Sequence, residues 1–284
     1  MRKGISIVIC SRNGQITRDL NNNVLNTIGC DFELVIINNS GNKYSIFEAY
    51  NLGVKKSKYE FIVFLHDDIL IHTSNWGKIL LNIFDQNREV GLIGVAGSRI
   101  KTSIPTAWWE HEESYLLLNI LQHEEDKKAN ISRKGFKTAN VEDVVIIDGV
   151  FMAFRKIKDI AFNEDLKGFH NYDVNISLET LKKGYRVIVT NKILVEHFST
   201  GAIDKDWIRS SYLLHKVYKE FLPTSVSGNI IGRREKIFAY RRYLVNCRAT
   251  GHRKFALEYW LKFLFLSPFR KEHLKWFRYF LKLD

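Results

Sequence analysis

Lys58-Tyr59-Glu60-Phe61-Ile62-Val63-Phe64-Leu65-His66-Asp67-Asp68-Ile69 runs from charged residues into five apolar ones and stops at an imidazole and two carboxylates. An unbroken apolar run of strand length suits a strand covered on both faces, as in a parallel α/β sheet. In such sheets ligands collect at the carboxyl ends of the strands, where His66, Asp67 and Asp68 fall. Adjacent carboxylates repel unless a cation, hydrogen-bond donors or open water surround them. Their place after a buried strand favours a divalent metal or substrate hydroxyls over a solvated turn.

Working outward, Ile5 to Cys10 reads as a first buried strand ending in Ser11-Arg12-Asn13-Gly14, and a polar helix follows to about Thr27. Phe32 to Ile37 is a second strand, ending in Asn38-Asn39-Ser40-Gly41, and Ser45 to Lys55 has helical spacing. Strand and helix alternating at this pace indicate βαβ units and a mostly parallel sheet with three polar tips on one edge. Ser74 is the expected N-cap of a helix from Asn75 to about Asn87, followed by a strand over Val90 to Ala96. Residues 100 to 142 look irregular, with the pair Trp108-Trp109 and an acidic run near Glu124, and suit loops over a site. Val144 to Phe154 reads as a strand with a break at Asp148-Gly149, Asn171 to Lys183 as a helix, and Tyr185 to Val189 as a last strand before Glu196-His197.

The chain has 284 residues, 45% of them hydrophobic, enough for one large domain with an appendage. Cys10, Cys30 and Cys247 lack metal-type spacing and leave an odd thiol, which favours a reducing compartment over a disulfide framework. No apolar run approaches the ~20 residues of a bilayer span. The net charge of +12 is lopsided: from Lys205 onward 18 basic residues stand against 6 acidic ones, and the first 204 residues are balanced. We therefore expect one unit over 1–204 and a basic, aromatic, helical one over 205–284. Phe269 to Leu283 interleaves Arg270, Lys271, Lys275, Arg278 and Lys282 with Leu274, Trp276, Phe277, Tyr279 and Phe280, a pattern suited to an anionic membrane surface. The competing reading is an appendage that packs on the first unit or forms a homodimer. No nucleic-acid-binding motif accompanies the charge.

The ordered set Ile5–Asn13, Glu33–Ser40, Ala49–Gly53, Glu60–Asp68, Asp148–Arg155, Gly168–Gly184 and His197–Gly201 resembles a glycosyltransferase of the GT-A fold, of inverting family-2 type, over roughly residues 4 to 202. The nearest subgroup is bacterial glycosyltransferase-like proteins with His-Asp-Asp at the strand end and a segment like Gly168-Phe169-His170-Asn171-Tyr172-Asp173. The resemblance implies a nucleotide-diphosphate sugar donor (UDP or GDP type) held by Ser11, Arg12, Asn13, Asn38, Asn39, Asn51, His66, Asp67 and Asp68. It implies a divalent cation, Mn²⁺ or Mg²⁺, on Asp68 and His197, and Asp173 as general base, kept ionised by the start of its helix. Trp108 and Trp109 then stack on a sugar or close the core, and Asp148-Gly149 lines the acceptor side or permits a bend.

Three departures stand out. His66 replaces the usual first Asp, Asn38-Asn39 replaces an acidic pair, and Tyr172 stands where the motif often has Glu. The expected activity is hexosyl transfer to a glycan or lipid-linked acceptor in surface polysaccharide or glycoconjugate synthesis, in the cytoplasm and peripheral on the inner face of the cell membrane. Two alternatives remain: a nucleotidyltransferase, for which Ser11-Arg12-Asn13-Gly14 is a poor phosphate loop, and a catalytically degenerate scaffold at the membrane.

Overall fold

The computed structural model describes residues 3–123, 130–199 and 201–282; the acidic run at Glu124 lies outside them. Seven strands form the main sheet: β1 (Gly4–Ser11), β2 (Asp31–Asn38), β3 (Phe61–Leu65), β4 (Val90–Gly94), β5 (Val141–Val144), β6 (Phe151–Arg155) and β7 (Arg186–Thr190). Their order is 5-7-4-6-3-1-2. β2, β1, β3, β4 and β7 run in one direction, and β6 and the edge strand β5 run against it.

The apolar run of β3 is unbroken because both of its faces are covered. Ile62 and Phe64 point into a core with Phe47 and Tyr50 of α2 (Ile46–Lys56) and Ile176 and Leu178 of α4 (Tyr172–Lys182). Phe61, Val63 and Leu65 point the other way, onto Leu20 and Val24 of α1 (Arg18–Thr27) and Trp76 and Leu80 of α3 (Trp76–Gln86). Side chains alternate across a strand, so one short segment nails two layers of helices to the sheet.

A second sheet, in the order Ile146–Ile147, Ala96–Ser98, Leu116–Gln122, Val195–His197, Ile69–Ile71, crosses the polar edge, and Asn130–Lys134 pairs beside Leu116–Gln122. This corrects the expectation of an irregular stretch over 100 to 142. Leu117 and Asn119 are both buried there, and the Asn119 Nδ2 donates to the carbonyls of Asn191 and Ile193 at 3.0 and 2.7 Å, which satisfies the donor side of a polar residue inside a strand. The strand expected over Val90 to Ala96 divides at Val95 between the two sheets, and the one over Val144 to Phe154 is interrupted likewise. Ser74 does not cap α3: the N-cap position falls on Asn75, in the left-handed region at φ 59°, and its side chain makes no cap hydrogen bond.

The tail folds into α5 (Lys205–Val217), α6 (Arg233–Ala249), α7 (Arg253–Leu266) and α8 (Glu272–Leu281). Their core joins Trp207, Tyr243, Trp260 and Phe263 to Ile104 and Ala107 of the first unit. α5 serves both cores, because Leu214 packs with the main-sheet residues.

Candidate functional site

The tips of β1, β2 and β3 open onto a cavity of 530 Å³ lined by Arg12, Asn39, His66, Asp67, Asp68 and Tyr172, among others. The register of the second sheet places His197 opposite Ile69 and beside Gln122, so His197 comes back to the residue that follows Asp68. The Phe198 amide donates to the Asp68 carbonyl at 3.1 Å and locks that return. One Asp68 oxygen then lies 3.7 Å from His66 Nδ1 and 3.6 Å from His197 Nε2, and the three ligand atoms sit within 4.8 Å of one another.

The surroundings set which nitrogen is free. Gln122 Nε2 donates to the carbonyls of Ser199 and His123 at 2.7 and 3.0 Å, which turns its Oε1 toward His197 Nδ1 at 3.1 Å. An oxygen there places a proton on Nδ1, and Nε2 faces Asp68 at 3.6 Å and the Ser199 hydroxyl at 3.3 Å. On the other side, His66 Nε2 meets the Tyr172 hydroxyl at 2.5 Å, and its Nδ1 faces Asp68. Burial, then the neighbouring His197, lowers the His66 pKa, which favours the neutral ring. One carboxylate and two imidazoles converging in this way could hold a divalent cation. His66 thereby stands with Asp68 and His197 in a group that could hold a metal ion, a place its position as a departure from the motif did not suggest.

A second cavity of 160 Å³ adjoins the first, sharing His66, Phe169 and Tyr172, and contains Asp173, Trp108 and Trp109. Trp108 is buried at 5% exposure and its indole N–H donates to Asp148 at 3.0 Å, whereas Trp109 is 39% exposed on the wall. The Val150 amide donates to the other Asp148 oxygen at 2.8 Å. Gly149 is required by closeness, since a Cβ there would lie 2.4 Å from the Tyr172 hydroxyl that holds His66. Asp173 departs from expectation. Burial, then the charge of Asp148, pushes its carboxyl up to about 7, and the backbone N–H groups of Val174, Asp173 and Gly149 pull the other way without prevailing. The helix start therefore does not hold the Asp173 pKa at the usual carboxylate range; burial outweighs it.

The remaining expected donor residues separate by what their side chains do. Arg12 and Asn39 line the larger cavity. Ser11 and Asn13 are not on its wall: the Ser11 hydroxyl and the Asn13 side-chain Oδ1 each accept from the Gln15 amide and shape the turn. Asn38 accepts from the Ser40 amide, and Asn39 clamps both backbone groups of Tyr44. Asn51 is away from the cavity. It donates to the Phe162 carbonyl and Glu164 at 2.8 Å each and accepts from the Phe162 amide at 3.0 Å. Asn51→Ala orphans the buried Phe162 groups, and we expect it to lower stability by about 2 kcal/mol in urea unfolding, with nucleotide affinity unchanged. Residues that sequence reasoning passed over are Gln122, Asn42, Phe169 and Ser199; the segment Gly168-Phe169 is tied to α2 by the Ile46 amide on the Gly168 carbonyl at 3.0 Å.

Among known proteins, the chain is 23% identical over 199 residues to the ATP synthase subunits region ORF 6 protein of Fuscovulum blasticum, covering 69% of this chain and 74% of that one. Among solved structures it is similar to S. aureus TarS 1–349 in complex with UDP-GlcNAc, with TM-score 0.53 and 12% identity over 89% of this chain and 75% of that one. It is also similar to GalNAc-T7 with UDP, GalNAc and Mn²⁺, with TM-score 0.49 and 11% identity over 70% of this chain, which spans 44% of that protein. The model of the glycosyltransferase-like family matches residues 6–217. A match over most of its length, on a main sheet and helices of GT-A architecture, places the chain in that glycosyltransferase-like family.

Proposed function

We propose that the protein moves a sugar, of hexosyl type, from a nucleoside diphosphate donor to a hydroxyl of a glycan or lipid-linked acceptor, with inversion. The observation that carries this is the pair of adjoining cavities meeting at His66 and Tyr172, with Asp68 and His197 on one side and Asp173 on the other. Arg12 offers a guanidinium for a diphosphate, and Asn39 shapes the wall beside it. His66, Asp68 and His197 would hold a divalent cation, which would supply charge neutralisation for a departing diphosphate. Asp173 accepts the proton of the acceptor hydroxyl as its oxygen bonds to the anomeric carbon. The bond to the diphosphate breaks on the opposite face, and the electron pair leaves with the nucleotide. Trp109 and Phe169 give the acceptor aromatic faces, and Asp148 lies on that side. TarS, of the same fold, has been captured with UDP-GlcNAc, which supports a donor of this class.

The same reading takes residues 1–204 as the catalytic unit and 205–284 as the part that meets an anionic membrane surface, on the inner face of the cell membrane, for surface polysaccharide or glycoconjugate synthesis. Among the described residues no helix is long and apolar enough to cross a membrane. Calorimetric titration with UDP, GDP, CDP and dTDP, each with and without Mn²⁺, tests the donor side. We expect one nucleotide to bind and only with the metal. Binding that ignores Mn²⁺ discards the metal centre, and no binding at all leaves the scaffold reading.

A further inference from the structure

Far from the strand tips, a cavity of 570 Å³ opens between α6 and the turn joining α7 to α8, lined by Arg233, Arg234, Arg241, Arg270, Ser267 and Phe269 among others. Ser267 is buried, and its hydroxyl accepts from Arg233 Nη2 at 3.3 Å and from Arg270 Nε at 2.8 Å. Two guanidinium ions thus converge on one neutral oxygen. Arg270 also reaches Glu272 at 3.6 Å, Arg241 is paired with the same Glu272 at 2.8 Å, and Arg234 with Glu112 at 2.8 Å. Among the described residues Arg233 has no carboxylate partner. Four guanidinium ions therefore share two carboxylates, and like charges are held together at a concave, part-apolar site. A bound anion relieves that repulsion, and the planar fork of arginine matches phosphate oxygens two at a time.

The surroundings say which phosphate. Phe269, on the cavity wall, is 101% exposed, and Phe265 on the preceding turn of chain is 87% exposed. On α8, Leu274, Phe277 and Leu281 are exposed at spacings that share a face, next to Lys275 and Arg278, with Lys282 following the helix end. Bare aromatic side chains around a basic cavity suit neither water nor a soluble anion; they suit the boundary of a lipid layer. We infer that this arginine cavity binds the phosphate of an anionic lipid headgroup, with Phe269 and Phe265 entering the acyl region beside it. This rests on the membrane reading of the tail and makes it specific: one stereochemical site rather than a diffuse positive face.

The test is co-sedimentation of the full chain with vesicles of phosphatidylcholine alone or mixed with phosphatidylglycerol. Compared with wild type are Arg233→Gln/Arg270→Gln, a charge-matched control Lys219→Gln/Lys254→Gln outside the cavity, Arg270→Lys and Phe269→Ser. We expect binding only to the anionic vesicles, a fall of about tenfold or more for the arginine pair and less than about threefold for the lysine pair. Arg270→Lys, which keeps the charge and the fold, and Phe269→Ser fall between. Equal losses for the arginine and lysine pairs overturn the site and leave the membrane reading intact. No vesicle binding overturns both. A rise in melting temperature with inorganic phosphate that needs Arg233 and Arg270, without vesicle binding, assigns the cavity to a soluble phosphate and overturns the lipid. A dimer in sedimentation velocity that Phe269→Ser dissolves assigns the face to a second copy. Nucleotide titrations on the same variants separate all of these from failure of the transferase reading, because no residue of this cavity touches the donor site.

Discussion

Asp173→Asn lowers kcat about 10³-fold and leaves nucleotide affinity and the fold unchanged. The amide keeps the shape of the carboxyl and cannot take a proton from an attacking hydroxyl, and general bases of this kind contribute roughly 10² to 10⁴ in rate. The wild-type rate has a matching signature in pH. Burial and Asp148 raise the Asp173 carboxyl from 3.8 to about 7, so the basic form grows in through neutrality and the rate climbs with it. The same burial has a cost in stability, with a definite sign. Because the folded-state pKa lies above the unfolded one, the protonated carboxyl favours the fold below about pH 4, and that contribution is lost as pH rises through about 7. Asn carries no charge to desolvate. Asp173→Asn is therefore expected to match wild type in acid, to pull ahead across that window and to hold a constant lead above it, in urea unfolding followed at several pH values. A slow enzyme that is more stable at pH 8 identifies a site residue held against its solvation preference; a slow enzyme that is less stable means Asp173 is structural and the base lies elsewhere.

Much of the main sheet could be read from local chemistry. β3 announces itself because five apolar residues in a row need cover on two faces, and α1 to α4 supply it. The strand tips follow from that, and with them the position of Asp67 and Asp68. What escaped was whatever depends on register between distant segments. Leu116–Gln122 carries Asn119 and Gln122, which look like loop residues until the carbonyls of Asn191, Ile193 and Ser199 come to meet them. Gln122 is consequently invisible as the residue that orients His197, although both lie in strands of one sheet. Asn51 fails in the opposite direction. A family pattern puts an asparagine there near the donor, yet its amide is fully engaged by Phe162 and Glu164. A pattern records residue type and not the partner. Asp173 was legible as a base candidate, and its ionisation was not, since the competition between helix amides and burial is decided by what packs around it. In the tail, helices and their basic, aromatic character follow from spacing, whereas the convergence of Arg233 and Arg270 on Ser267 joins positions 34 and 3 residues apart and needs the fold.

Asp68→Ala removes metal-dependent nucleotide binding altogether. Of the three donors at the strand tips, Asp68 is the one whose oxygen lies between the other two, 3.7 Å from His66 and 3.6 Å from His197. It is also the sole anion of the set. Two imidazoles remain without it, and nothing in the triad then offsets the charge of a dication in a partly buried cleft. In calorimetry the heat of nucleotide binding in Mn²⁺ should vanish for Asp68→Ala, and transfer should fall by about 10³-fold, the scale of losing electrostatic stabilisation of a leaving group. Gln122→Ala makes the argument sharper, because Gln122 touches no metal. Its Oε1 fixes the proton on His197 Nδ1 and its amide pins the Ser199 carbonyl. Loss of such an outer partner typically costs 10- to 100-fold in metal affinity, so the Mn²⁺ titration midpoint should move by about that factor in Gln122→Ala with the saturated rate nearly restored at high metal. The ordering matters more than either value. If Gln122→Ala and Asp68→Ala are equally dead at every metal concentration, the second sheet is collapsing rather than tuning a ligand; if both bind nucleotide as wild type does, the cluster of His66, Asp68 and His197 is a hydrogen-bonded strand tip and the diphosphate is held by Arg12 and backbone amides without a cation.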